Sequence, residues 1–183
     1  LNALSTGDRE AVLQAIFGKE GACFDYCRLP MGANDFAMSF YSSADIAEDF
    51  NLVNFNIDRD RYILIPYIKA ARQVNPDLRI WASPWCPPVW MKTNNHYASA
   101  VRPSGETDVN GLLPGETIAE FSTGFRMEEG YLKTYADYFA RFIKAYEAEG
   151  LPLECIHVQN EPCSNQVFPS CKWRTEDLTF FLG

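Results

Sequence analysis

Three short apolar runs, at 22–29, 78–83 and 153–159, alternate with four segments of helical period. This alternation constrains the fold more than any other feature. Strands that alternate with helices pair in parallel through right-handed crossovers, which places the chain in the α/β class. A (β/α) barrel builds its active face from the loops that follow strands. A doubly wound sheet binds its ligand at the same strand ends. The long polar stretches here, 31–57 and 94–127, also follow strands.

The helical segments have readable limits. Ser5 and Asp8 form a capping-box-like start for a helix over 5–17, and Gly18 suits its stop. Ile63, Leu64, Tyr67, Ile68 and Ala71 share a face of a second helical region. Pro66 is expected to begin its main helix after a separate first turn. Leu132, Tyr135, Phe139, Phe142, Ile143 and Tyr146 follow the 3.6 period over 129–149, and Gly150 ends that run. Tyr131 and Tyr138 join this aromatic set, which reads as core. Thr175 is expected to cap a last helix from Glu176 onward.

Composition excludes several functions. Lys plus Arg is 16 and Asp plus Glu is 24, a net charge of −8. An acidic chain without a basic run argues against nucleic acid as a partner. No stretch approaches the ~20 apolar residues of a membrane span. The six cysteines include no pair with zinc-finger spacing, and His96 and His157 are the two histidines, which argues against a zinc site. Cys163 and Cys171 flank a polar loop that they could close as a disulfide, whereas Cys155, inside an apolar run, reads as a buried free thiol. No Gly-rich phosphate loop follows a strand and no Ser-centred elbow is present, which removes the easy nucleotide and esterase readings. No cofactor is expected.

Three constellations can carry chemistry. Asn160-Glu161-Pro162 follows the third apolar run, so Glu161 either serves as a general acid/base at a strand end or is a turn residue. Arg28 lies in an apolar strand, where an unpaired charge is costly. It and Asp35 form either a structural pair or a sugar-hydroxyl site. Ser83-Pro84-Trp85-Cys86-Pro87-Pro88-Val89-Trp90 sets two indoles among prolines. They form either a hydrophobic plug or a platform for sugar stacking.

Arg28-Leu29-Pro30-Met31-Gly32-Ala33-Asn34-Asp35-Phe36 resembles the strand-two motif of glycoside hydrolase family 30. Ala82-Ser83-Pro84-Trp85, with Pro88 and Trp90-Met91-Lys92-Thr93-Asn94, resembles its strand-three motif. Val158-Gln159-Asn160-Glu161-Pro162 resembles its strand-four motif. Asp49-Phe50, Asn54-Phe55 and Ile65-Pro66 fit the connections.

The resemblance implies a partial (β/α)8 TIM barrel running from helix one into helix four with three parallel strands. It implies a retaining hydrolase of β-glucosidic bonds in β-glucan or a glucosylceramide-like substrate, with Glu161 as general acid/base. Asn160 would bind the sugar 2-hydroxyl and Arg28 would hold the nucleophile's carboxylate. Asp35 would bind sugar hydroxyls and Trp85 would line the site, with Trp90 beside it. The nucleophile would follow a later strand, ~5 Å from the acid/base. A whole barrel needs about 250 residues. The chain is therefore expected to be one part of a catalytic domain whose first strand, later strands and accessory β-sandwich lie outside it. A carbohydrate-binding fragment without catalysis is the alternative, and self-association through open sheet edges is a further expectation. A secreted or periplasmic parent goes with the family. The wording Asn94-Asn95-His96-Tyr97 resembles the bacterial endo-β-1,6-glucanase-like members more than the animal glucosylceramidases.

Overall fold

The computed structural model describes residues 1, 3–102 and 110–183. Part of the expected loop 94–127, residues 103–109, therefore lies outside the described residues. The order of elements is α1 (Thr6–Phe17), β1 (Tyr26–Pro30), α2 (Asp58–Tyr62), α3 (Leu64–Val74), β2 (Arg79–Ser83), α4 (Glu129–Ala148) and α5 (Thr175–Leu182). Short 3₁₀ turns occupy Val89–Met91 and Pro114–Glu116. Contacts divide the chain into two units. The first holds Leu1–Leu29, Ile57–Trp81 and Ile143–Cys155; the second holds Pro30–Asn56, Ala82–Phe142 and Ile156–Gly183.

In the first unit, α1 starts as its cap predicts: the Ser5 hydroxyl accepts from the Asp8 N–H. Its stop at Gly18 has a different cause from a left-handed turn. Gly18 is extended, but a Cβ there would meet the Gln14 carbonyl oxygen at 2.5 Å. Leu13 and Phe17 bury their side chains, and Phe17 meets Tyr67 of α3 edge-on at 6.1 Å. The helix break falls at Ile63, three residues before Pro66. Pro66 sits within the first turn of α3, where its missing N–H costs nothing because those donors have no intrahelical partner. The end of α4 is fixed by Tyr146, whose buried hydroxyl donates to Asp60 Oδ2 at 2.7 Å. Gly150 then takes a positive φ of 76°, and the Leu151 N–H closes back on the Tyr146 carbonyl.

The strands pair start to start and end to end, so they run parallel. Arg79 N–H donates to the Asp25 carbonyl in the first unit, and Met31 N–H to the Ser83 carbonyl in the second. The third expected strand is present as a parallel bridge between Ala82 and Ile156 rather than a full strand. The N–H groups of Glu154, His157 and Asn160 donate to the carbonyls of Ile80, Ala82 and Pro84. β1 is less buried than its apolar letters suggest. Tyr26 and Arg28 are exposed and Leu29 is buried. Cys155 is exposed as well, not buried, and its Sγ lies 3.8 Å from the Tyr26 hydroxyl.

The second unit has an aromatic core. Tyr135, Tyr138 and Phe142 of α4 are fully buried, while Ile143 points outward and Phe139 is half-buried. Phe125 stacks on Trp173 at 4.8 Å and lies 4.9 Å from Tyr135. Phe181 of α5 closes the cluster at 5.7 Å from Trp173. α5 begins at Thr175 itself, with Arg174 in the capping position and no side-chain cap. The segment 31–56 is tied to α4 by Ser43 N–H on the Tyr138 hydroxyl and by Arg141 on the carbonyls of Asn51 and Leu52.

Candidate active site

The end of β2 and the segment after residue 153 build the site from the backbone outward. Asn160 N–H holds the Pro84 carbonyl at 2.8 Å, directly before Trp85. Gln159 is buried and uses its whole carboxamide. Its Nε2 donates to the carbonyls of Trp85 at 2.7 Å and Asn160 at 2.9 Å, and its Oε1 accepts from the Trp173 indole. Trp85 and Asn160 are thereby locked together.

Glu161 follows with a left-handed backbone, φ 47°. That conformation is uncommon for a residue with a side chain, and a following proline restricts it further. Such strain persists only where neighbours over-determine it. Here Ser164 N–H donates to the Glu161 carbonyl and Trp173 N–H to the Pro162 carbonyl. The Glu161 side chain is exposed, and its Oε2 accepts from Gln166 Nε2 at 2.9 Å. Gln166 also donates to the Ser164 hydroxyl at 2.6 Å.

Behind this loop lies Lys92, with no exposed surface. Its ammonium donates to the carbonyls of Ser170 at 2.7 Å, Ala98 at 3.0 Å and Tyr97 at 3.2 Å, and to the Ser99 hydroxyl at 3.4 Å. Beside it, His96 Nδ1 accepts from the Ala98 N–H. Burial, and then the Lys92 charge, push the His96 imidazole below its ordinary value. Burial pushes the Cys171 thiol up to about 12.

The remaining candidates fall in different places. Arg28 belongs to the first unit and has its guanidinium 5.4 Å from the centre of the Trp81 ring. It is exposed, so the burial argument for a compulsory partner does not apply. Asp35 is exposed in a turn after β1, where the Phe36 N–H closes on Asn34 Oδ1. Trp85 and Trp90 are each 6% exposed. Trp90 donates its indole N–H to the Ala44 carbonyl and packs against Phe50 and Tyr131. Both indoles therefore lie in packing rather than on an open platform. The six cysteines are free thiols, and the loop between Cys163 and Cys171 is closed by hydrogen bonds instead of a disulfide. Among the described residues no group of three or more His, Cys, Asp or Glu converges as a metal site, and no helix is long and apolar enough to cross a membrane.

Gln166, Ser164 and Lys92 carry no role in the sequence reading. Lys92 stands inside one of the motifs, between Met91 and Thr93, but no spacing rule marks a lysine there as buried. Gln166 lies five residues past Glu161, with no periodicity to direct it backward.

Parallel strands joined through helices, with a third parallel segment bridged to them and a carboxylate just past its end, are consistent with part of an α/β barrel. The chain belongs to glycosyl hydrolase family 30, whose TIM-barrel domain model matches residues 1–173. It is 31% identical over 162 residues to the lysosomal acid glucosylceramidase of Mus musculus, covering 87% of this chain and 28% of that one. It is 28% identical over 168 residues to an endo-1,6-β-D-glucanase of Neurospora crassa, covering 90% and 31%. Among solved structures, SrfJ from Salmonella typhimurium superposes with a TM-score of 0.79 at 25% identity, over 98% of this chain and 35% of that one. The chain spans under a third of the length of these curated relatives.

Proposed function

We propose that this chain contributes the general acid/base, Glu161, to an enzyme that hydrolyses β-glucosidic bonds with retention. The observation that carries this reading is the placement of Glu161. Its backbone is held in a strained conformation at the end of a parallel segment, and its carboxylate is exposed with Oε2 hydrogen-bonded. A carboxyl group so placed protonates the leaving glycosidic oxygen, then takes a proton from the water that releases the sugar. Asn160 would receive the sugar 2-hydroxyl, Asp35 further hydroxyls, and Arg28 the second carboxylate. Trp85 would border the sugar, and Trp90 would act by packing beneath it. No Asp or Glu of the 183 residues is assigned as nucleophile. Names of the relatives support a glucoside in β-1,6-glucan or glucosylceramide, and the lysosomal relative supports a compartment outside the cytosol.

The test is Glu161→Ala in the enzyme that contains this chain. Hydrolysis of glucosides with poor leaving groups should fall by roughly 100-fold or more. Azide should restore turnover of an activated aryl β-glucoside and yield the β-glucosyl azide. Near-normal hydrolysis by the variant would reject the assignment, and an α-azide would reject retention.

A further inference from the structure

We infer that Gln166 is the positioning residue of Glu161, holding Oε2 as a permanent acceptor and leaving Oε1 as the oxygen that carries the proton. The inference rests on the acid/base reading of Glu161. Gln166 Nε2 is 2.9 Å from Glu161 Oε2, and Oε1 makes no hydrogen bond to the described residues. A carboxamide N–H only donates, so Oε2 cannot carry a proton directed at it. The proton that goes to the glycosidic oxygen therefore leaves Oε1. The proton taken from water in the second step returns to the same oxygen. One oxygen does both transfers, and the carboxyl need not rotate between them.

The donor itself is firmly placed. The second Nε2 hydrogen is satisfied by the Ser164 hydroxyl at 2.6 Å. The Gln166 carbonyl accepts from the N–H groups of Ser99 and Ala100, each at 3.0 Å, and its own N–H donates to the Ser170 hydroxyl at 3.3 Å. Lys92 holds the far side of the same loops through the carbonyls of Ser170, Ala98 and Tyr97. A side chain hung from a backbone fixed at this many points loses little further entropy when it holds a carboxylate.

The experiment compares two β-glucosides in the enzyme that contains this chain. One has an alcohol leaving group that needs protonation, and the other a dinitrophenolate that does not. Gln166→Glu keeps the size of the side chain but removes the donor; Gln166→Leu removes all polarity. For both variants kcat/KM on the alkyl glucoside should fall by roughly tenfold or more, with KM little changed. On the dinitrophenyl glucoside kcat/KM should fall by less than about threefold. Ser164→Ala, a smaller change in the same network, should give a weaker version of the same selectivity. Equal losses on both substrates, or none on either, overturn the inference. Should Glu161→Ala show the selective loss while the Gln166 variants do not, this inference alone fails. Should Glu161→Ala show no selective loss, the acid/base reading fails first.

Discussion

The buried indole of Trp173 donates to Gln159 Oε1 at 3.3 Å, so the residue two places before Glu161 is locked to one twelve places after it. The other half of the same carboxamide holds two backbone carbonyls. Gln159 is thus the shared support of Trp85, Asn160 and Trp173.

Replacing it separates shape from polarity. Gln159→Leu should cost about 2 kcal/mol, because two carbonyls and an indole N–H lose partners in a buried place. Gln159→Glu should cost more, since a carboxylate would face two carbonyl oxygens out of water. Urea unfolding of the enzyme containing this chain measures both. The reverse order of stability would mean that the carboxamide is not donating to those carbonyls.

Lys92→Met should be more damaging than a surface lysine change. Three carbonyls and a hydroxyl would lose their donor in a site with no exposed surface. A loss of about 3 kcal/mol or more is expected. Hydrogen exchange should also speed up at the amides of Ser99, Ala100 and Ser170, which pair across the two loops. Unchanged exchange there would show that the ammonium does not brace them.

Thiol labelling should sort the cysteines by place. Cys23, Cys155 and Cys163 are exposed and should alkylate in the folded protein. Cys86 and Cys171 are buried with raised thiol values, and thiolate is the reactive form. Mass spectrometry after iodoacetamide at pH 8 should find those two unmodified until denaturant is added. Prompt labelling of Cys171 in the native protein would contradict its placement.

Stability should fall on both sides of neutrality. The Cys171 thiol sits at about 12 in the folded protein and near 8.5 when unfolded. The folded state therefore keeps a proton that the unfolded chain releases, and stability is lost as pH rises from about 8.5 toward 12. Tyr135, raised by burial, acts in the same direction at higher pH. His96 is depressed, so its contribution is present above about 6.5 and is lost as pH falls below it. Thermal melts across this range, repeated with His96→Asn and Cys171→Ala, should flatten the acid and alkaline slopes respectively. Slopes unaltered by the substitutions would assign the titration to other groups.

Legibility in the sequence followed the range of each interaction. The Ser5 cap and the Gly150 stop are local, and each is where its residues imply; the α4 stripe is centred on Tyr135, Tyr138, Phe142 and Tyr146, with Ile143 outside it. The break at Ile63 was not readable from Pro66, because a proline is equally at home anywhere in a first turn. The apolar run at 153–159 announced a strand, but the backbone pairs along one side and forms a bridge. The Asn-Glu-Pro triplet pointed at Glu161, while its partner Gln166 depends on a loop turning back, which no spacing rule encodes. The two tryptophans could be placed at a strand end but not assigned to plug or platform. For Trp90 the packing comes from distant partners, the Ala44 carbonyl and the Phe50 ring, which no local spacing encodes.

Lys92 also sets a timetable. Its shortest bond reaches the Ser170 carbonyl, 78 residues further along the chain. A ribosome must therefore make the whole stretch from 92 to 170 before this cation has its full set of oxygens. Until then an ammonium destined for the interior stays in water and keeps its surroundings open. The loop that positions Glu161 should be among the last parts of this chain to become ordered, after the helices whose contacts are local.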